Sequence, residues 1–271
     1  MKHLFLLSFL LVVACKVQAQ AGLKLGGLVM PQVSFLLNPD DSGQDPDLFQ
    51  YEPLSGMAGG IVLGYNPGAI FGMRLNFIYS QQGGRYSVRN TFNDRYNFTT
   101  RLEYIKVPFM LGLHSNPENS KVMFSLYGGI QAELLTRAFL YDDDPSFAAP
   151  LPEEITGFPD AYARYSTWAY SAVGDVGFDV KLEDNFVLTL HLRGEYGVAD
   201  AEDKDASYRV TEGGITREVN YWDAQRPNVR IQEMTRNLNV GLVIGVVYTF
   251  ARKAKAAPAT LSPGPGGPVR P

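Results

Sequence analysis

The chain has 271 residues, with 24 lysine and arginine residues against 28 aspartate and glutamate residues. This balance lacks the basic excess of nucleic-acid-binding proteins, so no nucleic acid partner is expected. The mean hydropathy is -0.10, which excludes a bundle of membrane helices. After the first fifteen residues no apolar run approaches the length of a membrane helix. In a membrane β-barrel, apolar and polar residues alternate along each strand and offset each other in the mean hydropathy. A barrel is therefore compatible with these values.

Residues 1–19 have the features of an export signal. A charged start, Lys2-His3, precedes an apolar core from Leu4 to Ala14 and a small-residue cleavage site, Val17-Gln18-Ala19. The alternative is a lipoprotein cleavage box, in which Cys15 would be acylated. If cleavage follows Ala19, the mature chain has no cysteine and therefore no disulfide.

Eight segments alternate apolar and polar side chains with a period of two, which predicts strands with two different faces. In the last of them, Leu238–Phe250, every even position is apolar and most odd positions are small or polar. Pro108 lies inside another segment and predicts a bulge or a missing ladder bond there. The eight predicted strands are 21–37, 56–65, 70–82, 102–113, 122–134, 168–182, 186–196 and 238–250.

The connections between these strands alternate in length, as in transmembrane barrels with short periplasmic turns and longer outer loops. The predicted fold is therefore all-β: an eight-stranded antiparallel up-and-down transmembrane β-barrel over residues 20–250, in the cell outer membrane. Inside the last loop, residues 208–219 predict a hairpin that turns at Glu212-Gly213-Gly214. The long loops are 38–55, 83–98, 141–165 and 199–236, and the turns are 66–68, 115–120 and 183–185.

The polar face of these strands carries many charges, which suits an enclosed lumen. The alternative is a soluble lipocalin-like carrier, because period two alone does not distinguish inside from outside. An eight-stranded interior is only wide enough for side chains, so paired charges are expected to plug it. We expect a network centred on Arg74 and Arg193 with Asp175, Asp179 and Glu133. The predicted lumen charges are Lys24, Arg74, Lys106, Glu133, Asp175, Asp179, Lys181, Arg193 and Glu195.

The mature chain has two histidines, His114 and His191. A lipid A-modifying enzyme would need a histidine near the outer rim, but His191 lies close to the short turn that follows residue 182. We therefore interpret His191 as a lumen hydrogen-bonding residue and expect His114 to be solvated beside a turn. The acidic residues of the predicted loops could bind Ca²⁺, but their spacing does not match that of an EF-hand. We therefore interpret them as a hydrated surface. No catalytic residue, metal or cofactor is predicted.

Two stretches resemble the PorT-like outer-membrane β-barrel family of Bacteroidetes-type bacteria. Tyr79-Ser80-Gln81 with the following Gly83-Gly84 matches one family strand end, and Tyr104-Ile105 with Val107-Pro108 matches the next strand. Lys106 stands where the family usually has an acidic residue. The resemblance implies an outer-membrane barrel with possible secretion-complex partners and without catalytic residues.

The end of the last strand carries a second resemblance. Gly245, Tyr248 and Phe250 resemble the recognition signal that the barrel-assembly machinery reads. Residues 251–271 are rich in Ala, Pro and Gly and contain four basic residues, which predicts a disordered periplasmic tail.

The expected function is that of a small non-enzymatic outer-membrane protein. It would contact outer-membrane lipid and the barrel-assembly machinery, with a structural, adhesion or secretion-associated role and possible surface partners. The alternatives are a narrow pore or passive diffusion channel, a lipid A-modifying barrel enzyme and a soluble lipocalin-like carrier.

Overall fold

The computed structural model describes residues 22–38, 49–68, 70–89, 95–115, 120–142, 161–183, 185–212, 215–220 and 234–251. The predicted export signal and nearly all of the predicted tail lie outside these residues. The described chain forms strands and one short 3-10 helix, Ala161–Arg164. The strands are β1 Gly22–Leu37, β2 Phe49–Glu52, β3 Leu54–Asn66, β4 Phe71–Arg89, β5 Arg95–His114, β6 Val122–Asp142, β7 Trp168–Lys181, β8 Phe186–Gly197, β9 Ser207–Glu212, β10 Ile215–Asn220 and β11 Arg236–Ala251.

Eight of these strands form a closed antiparallel ring. Each neighbours the next in chain order, and the last strand, β11, pairs with the first, β1, from Gly22 opposite Ala251 to Leu37 opposite Arg236. Closure leaves no free sheet edge, which is the condition for strands to cross a bilayer. The predicted eight-stranded antiparallel barrel is confirmed. The ring order is β1, β3, β4, β5, β6, β7, β8 and β11.

The two faces of the wall have the predicted polarity. On the outside, Leu242 is 46% and Phe77 45% exposed, whereas inside Arg74 is 7% and Arg193 1% exposed. An exterior wall of large apolar side chains around a charged interior is the arrangement of a membrane barrel and the reverse of a soluble carrier. The lipocalin-like alternative is therefore excluded.

Prolines interrupt two ladders without changing their register. The β1–β11 ladder has no pairs at Met30 and Pro31, and the β4–β5 ladder has none at Val107 and Pro108. Proline has no N–H to donate, so a missing ladder bond is expected at each place. The bulge next to β5 lies elsewhere, between Glu103 and Tyr104, where the pairing with β6 shifts by one residue.

The three short turns connect β3 to β4, β5 to β6 and β7 to β8, as predicted. They lie at the same end of the barrel as Gly22 and Ala251, and we call this the inner end. The outer end carries the long connections. Among the described residues, none belongs to a helix long and apolar enough to cross a membrane.

The outer end contains more strand than the sequence predicts. Most of the predicted loop 83–98 continues the β4–β5 ladder as far as Arg89 opposite Arg95, and β2, within the predicted loop 38–55, pairs with β4. The extension has no continuous apolar stripe, because it lies beyond the lipid. Ladder bonds and contacts such as the Tyr86–Phe98 ring stack, at 5.0 Å between centroids, hold it. The predicted hairpin is confirmed as β9 and β10.

Candidate functional site in the barrel interior

Arg74 and Asp179 form an ion pair near the inner end of the interior. Arg74 lies on β4 and Asp179 on β7, and their closest atoms, Nη2 and Oδ2, are 3.2 Å apart. Asp179 also accepts hydrogen bonds from Ser125 Oγ at 2.6 Å and Thr189 Oγ1 at 2.7 Å. The Arg74 guanidinium carbon lies 3.9 Å from the centroid of the Tyr127 ring. The carboxylate is thus held by three donors, and the guanidinium is shielded by an aromatic face.

Both histidines belong to the same group of contacts, which we call the inner cluster (Arg74, His114, Ser125, Tyr127, Asp179, Thr189 and His191). His191 Nδ1 lies 3.3 Å from Arg74 Nη1. Because a guanidinium only donates, Nδ1 is the acceptor and the ring proton is on Nε2. That nitrogen lies 3.3 Å from Asp179 Oδ1, although the approach is not aligned as a hydrogen bond. The structure therefore places His191 in the lumen, as the sequence analysis expected.

The expectation that His114 is solvated is wrong. His114 is buried at the inner end of β5, where its Nδ1 lies 3.0 Å from Ser125 Oγ and its Nε2 lies 2.7 Å from Tyr127 Oη. The residue occupies the interior parity of β5, and the Tyr127 ring packs edge-on against it. Its proximity to a turn in the sequence therefore does not expose it.

Arg193 and Asp175 form a two-point ion pair on the neighbouring strands β8 and β7. Arg193 Nε lies 2.7 Å from Asp175 Oδ1, and Arg193 Nη2 lies 2.8 Å from Asp175 Oδ2. Both residues are buried. This planar, two-bond geometry is the strongest form of the arginine–carboxylate interaction.

Lys106 and Glu195 form a third buried pair, between strands β5 and β8. Lys106 Nζ lies 2.5 Å from Glu195 Oε2, and Asn239 Nδ2 donates to the same oxygen at 3.3 Å. Asn239 Nδ2 also donates to Gln82 Oε1 at 2.8 Å. Side chains from three strands therefore meet at this carboxylate, and Gln82 of β4 joins them through Asn239.

Glu133 does not join either arginine in the described contacts. Its carboxylate accepts hydrogen bonds from Gln131 Nε2 at 2.9 Å and from the Ser171 hydroxyl. Of the other predicted lumen charges, Lys24 is buried near the inner end and Lys181 is half-buried. The two arginines therefore have different carboxylate partners, and His191 lies between the two pairs, with its Nδ1 3.3 Å from Arg74 Nη1 and 3.9 Å from Asp175 Oδ2. Gln82 joins Glu133 to the third pair, because its Nε2 donates to Glu133 Oε2 at 3.4 Å and its Oε1 accepts from Asn239.

One side of the interior is apolar, which the sequence analysis missed. We call this surface the apolar wall. It comes from strands β1, β3, β4 and β11, whereas the ion-paired carboxylates come from β7 and β8. In the sequence, the apolar wall was indicated only by Val243 and Val247, which lie on the otherwise small or polar face of β11. The apolar wall consists of Leu28, Met30, Ala58, Val62, Ile78, Val243 and Val247.

A second missed feature closes the outer end, and we call it the outer cap. Buried apolar and aromatic side chains from three strands meet Tyr165, which precedes β7. Beside them Arg164 Nη2 lies 3.0 Å from Glu202 Oε1, and Thr235 Oγ1 donates to Glu202 Oε2 at 2.8 Å. These polar residues lie in or next to predicted loops, where no periodicity marks them. The outer cap consists of Leu36, Leu102, Tyr104, Leu135 and Tyr165.

Burial raises the pKa of Tyr165 above its ordinary value. Its phenol therefore contributes stability that is complete below the unfolded-state pKa, about 10, and is lost as the pH rises towards the folded-state pKa. We expect the free energy of unfolding of the unmodified protein to fall more steeply between about pH 9 and about pH 11 than that of Tyr165→Phe. Urea unfolding followed by fluorescence measures both slopes, and equal slopes would contradict the prediction.

The predicted assembly residues lie at the inner end of β11. Gly245 faces the interior, and Tyr248 and Phe250 lie on the exterior parity with their rings 4.8 Å apart. Tyr248 also packs against Phe186 of β8, at 5.1 Å between ring centroids. These rings belong to the exterior surface at the inner end of the barrel, where the strands leave the lipid. Barrels carry a girdle of aromatic residues at this level.

In the described part of the chain, no group of three or more His, Cys, Asp or Glu side chains is arranged to hold a metal ion. Residues 16–202 match the family described as outer membrane protein beta-barrel domain. The chain belongs to this family. The match covers most of the barrel. Together with the closed ring and its apolar exterior, family membership identifies an outer-membrane protein that sits in the membrane lipid.

Solved structures of outer-membrane proteins are similar to this member of the barrel family. OprG from Pseudomonas aeruginosa has 12% identity and a TM-score of 0.43, over 86% of this chain and 96% of its own. Neisserial surface protein A has 11% identity and a TM-score of 0.42, over 84% and 97%. Ail, the attachment invasion locus protein of Yersinia pestis, has 12% identity and a TM-score of 0.33, over 86% and 99%. No curated protein matches the sequence.

Proposed function

We propose that this protein is a closed, non-enzymatic barrel that presents its outer loops at the cell surface, in a structural, adhesive or secretion-associated role. The observation that carries the proposal is the direct pairing of interior charges. Arg193 with Asp175 and Lys106 with Glu195 are in contact and buried. Charges that line an aqueous path are hydrated, whereas these neutralise each other and occupy the cross-section.

The outer cap supports the same proposal. Tyr104 and Leu102 are completely buried there, and Tyr165 packs over them from the chain that enters β7. The partly buried ion pair between Arg164 and Glu202 ties this cover to the start of β11 through Thr235. A ligand or ion entering from outside would have to displace both groups.

The positions of the histidines favour a non-enzymatic role. His191 is held between Arg74 and Asp179, and His114 between Ser125 and Tyr127. Both rings are buried at the inner end of the lumen and away from the lipid-facing wall. Neither ring is placed to accept a proton from a lipid substrate at the outer rim, where a lipid-modifying barrel would need it.

The finer identity and the two chain ends are also part of the proposal. The strand motifs that begin at Tyr79 and Tyr104 favour a PorT-like protein and hence a partner in a secretion complex. We assign residues 1–19 to an export signal and 252–271, beyond the last residue of β11, to a periplasmic tail. Gly245, Tyr248 and Phe250 would serve as the signal for the barrel-assembly machinery, since they end the strand that closes the ring.

A planar bilayer measurement tests the closed lumen. We expect the full-length protein to give no stable single-channel currents, because paired side chains and the outer cap fill the interior. In the background of Tyr165→Ala, which opens the outer cap, the double variant Lys106→Ala/Glu195→Ala is expected to give small currents. It removes two long side chains from the middle of the lumen without leaving an unpaired charge. Large, stable currents from the unmodified protein would refute the closed barrel.

A narrow pore is the second candidate, and one observation favours it. Within the described part of the interior, Arg193 Nη1, Glu195 Oε1 and Gln131 Oε1 are buried without a hydrogen-bond partner. Groups of this kind usually bind ordered water. A continuous file of such waters would appear as small currents in the unmodified protein, at the level expected for the double variant.

A further inference from the structure

A layer of polar side chains crosses the interior on the inner side of the outer cap. It contains two carboxylates, Glu133 and Glu195, but only one ammonium, that of Lys106. Lys106 is the ladder partner of Glu133, yet its Nζ contacts Glu195 across the lumen at 2.5 Å. One negative charge is therefore not balanced within the layer. We call it the polar layer, and its six side chains, each at most 2% exposed, are Gln82, Lys106, Gln131, Glu133, Glu195 and Asn239.

The unbalanced charge is that of Glu133. Its carboxylate accepts hydrogen bonds from Gln131 Nε2 at 2.9 Å, from Gln82 Nε2 at 3.4 Å and from the Ser171 hydroxyl. All three donors are neutral groups. Neutral donors lower the cost of burying a carboxylate but leave its charge in place, and a buried charge is normally paired with an opposite one.

The other three buried cations of the described chain do not balance Glu133. Arg193 already has its own carboxylate in a two-point pair. Arg74 is paired with Asp179 near the inner end, and Lys24 lies close to both. The described part of the interior therefore holds no further cation that could pair with Glu133.

The polar layer also contains three oxygen atoms without a donor. Because an ionised carboxylate only accepts, Gln82 and Gln131 must present their NH₂ groups to Glu133. Gln82 Oε1 then faces Asn239, whose Nδ2 donates to it at 2.8 Å and to Glu195 Oε2 at 3.3 Å. This orientation leaves Gln131 Oε1, Asn239 Oδ1 and Glu195 Oε1 buried and without a partner among the described residues. The three oxygens belong to neighbouring groups, since Gln131 also lies close to Glu195.

Oxygen acceptors next to an unbalanced negative charge form a site for a cation. Carboxylate and amide oxygens are the ligands that hard metal cations take in proteins. Water would satisfy the oxygens but would bring no charge. A divalent ion would turn the surplus negative charge into a surplus positive one, at a place where an unpaired charge is costly. A monovalent ion therefore matches both the oxygens and the charge.

We propose that the polar layer binds one monovalent metal cation, Na⁺ or K⁺. The ion contacts Gln131 Oε1, Asn239 Oδ1 and Glu195 Oε1, and its charge balances that of Glu133. The inference rests on the proposed closed barrel, because an open aqueous path would hydrate these groups and remove the need for a fixed ion.

Urea unfolding of the full-length protein in dilauroylphosphatidylcholine vesicles tests the site. Na⁺, and in a second series K⁺, is varied from about 10 mM to about 500 mM, with N-methyl-D-glucamine chloride keeping the ionic strength constant. The unfolded chain exposes the layer, so the ion equilibrates without having to cross the closed barrel. We expect the folding equilibrium constant to rise about tenfold for each tenfold rise in the bound ion above its Kd, because the ion binds only the folded state.

Two variants remove the need for the ion in opposite ways. Glu133→Gln removes the unbalanced charge, whereas Gln131→Lys supplies an ammonium beside it from a side chain of similar length. Both should make the folding equilibrium constant independent of Na⁺ and K⁺. The matched control is Glu103→Gln, the same substitution at a carboxylate that already lies 4.0 Å from Arg137. This control should keep the full dependence on the ion.

A folding equilibrium constant of the unmodified protein that responds to neither ion would overturn the proposal, because a proton or water would then complete the layer. That result stands even if neither variant folds. A response that both variants retain would also overturn it, since the ion would then bind elsewhere. The closed barrel is decided separately by conductance: large single-channel currents would refute it, whereas absent currents with a flat ion response would refute only the bound ion.

Discussion

Replacing Asp175 with asparagine is expected to lower the free energy of unfolding by about 3–5 kcal/mol. The change keeps the shape of the side chain but removes the charge opposite the Arg193 guanidinium, which is 1% exposed and makes two short contacts with the carboxylate. A buried guanidinium without its counter-ion retains the cost of leaving water and loses most of the compensating attraction. Urea unfolding in lipid vesicles measures the effect, with Trp168 on the lipid-facing wall as a fluorescent reporter.

The matched control for this result is Glu52→Gln. This substitution also removes one negative charge from an ion pair, in this case with Arg85. The Glu52 side chain is 48% exposed, and the closest atoms of the pair are 3.8 Å apart. Solvent screens an exposed pair, so a change of at most about 1 kcal/mol is expected. If the two substitutions had equal effects, the Arg193–Asp175 pair would have to be hydrated, and the closed lumen would be wrong.

Removing both charges together distinguishes a lost ion pair from a local packing defect. The double variant Asp175→Asn/Arg193→Met leaves no unpaired ion and places a flexible apolar side chain near Met110, which the arginine already approaches. We expect it to be more stable than Asp175→Asn alone, since an apolar replacement of a buried pair is often neutral or favourable. A double variant that is less stable than the single one would indicate that the arginine has another essential partner.

Placing an arginine at Phe109 is expected to destabilise the membrane-inserted barrel by about 2–4 kcal/mol. Phe109 is the central residue of five apolar side chains on the exterior of β5, from Ile105 to Leu113, of which four are exposed and Val107 is half-buried. A charge there must enter the hydrocarbon or thin the bilayer around it, because the wall offers no carboxylate on that stretch of the strand. The measurement is again unfolding in vesicles, with heat-dependent gel mobility as a second readout of the folded barrel.

Two further substitutions separate depth from the loss of an aromatic ring. Leu113→Arg places the same charge at the inner end of β5, where the expected cost is at most about 1 kcal/mol because the arginine can reach the headgroups. Phe109→Leu removes the ring without adding charge and should have a much smaller effect than Phe109→Arg. Similar costs at residues 109 and 113 would mean that the exterior of β5 does not span the hydrocarbon.

The alternation of side chains predicted the architecture because the two faces of a membrane strand meet very different solvents. Positions such as Phe77 and Leu242 must face lipid, and this single requirement assigns every other residue of a strand to the interior. The lengths of the connections then indicated which ends are inner. Beyond the lipid no side chain has to be apolar, so the sequence of the β4 extension to Arg89 does not show the alternation that predicted the other strands.

The partners inside the lumen could not be read from the same alternation. Parity places Arg74, Arg193 and Glu133 on one face, but it does not state which strands face each other across the barrel or how far each is shifted. Closure of β1 on β11, with the register of each ladder, directs Arg74 to Asp179, and it gives Glu133 hydrogen bonds from Gln82, Gln131 and Ser171. The burial of His114 has the same origin, because Tyr127 covers it from the neighbouring strand.

The sequence by itself determined that this is an outer-membrane barrel of eight strands, with its apolar face outward and its charged side chains enclosed. Only the tertiary structure decided how that interior is filled: by an apolar wall, by three ion pairs that His191 and Gln82 connect, and by an outer cap beside which Arg164, Glu202 and Thr235 meet from distant loops. The physical reason is the distance over which each choice is made. The choice between lipid and lumen is made residue by residue along a strand, whereas the choice of a partner depends on distances across the closed ring.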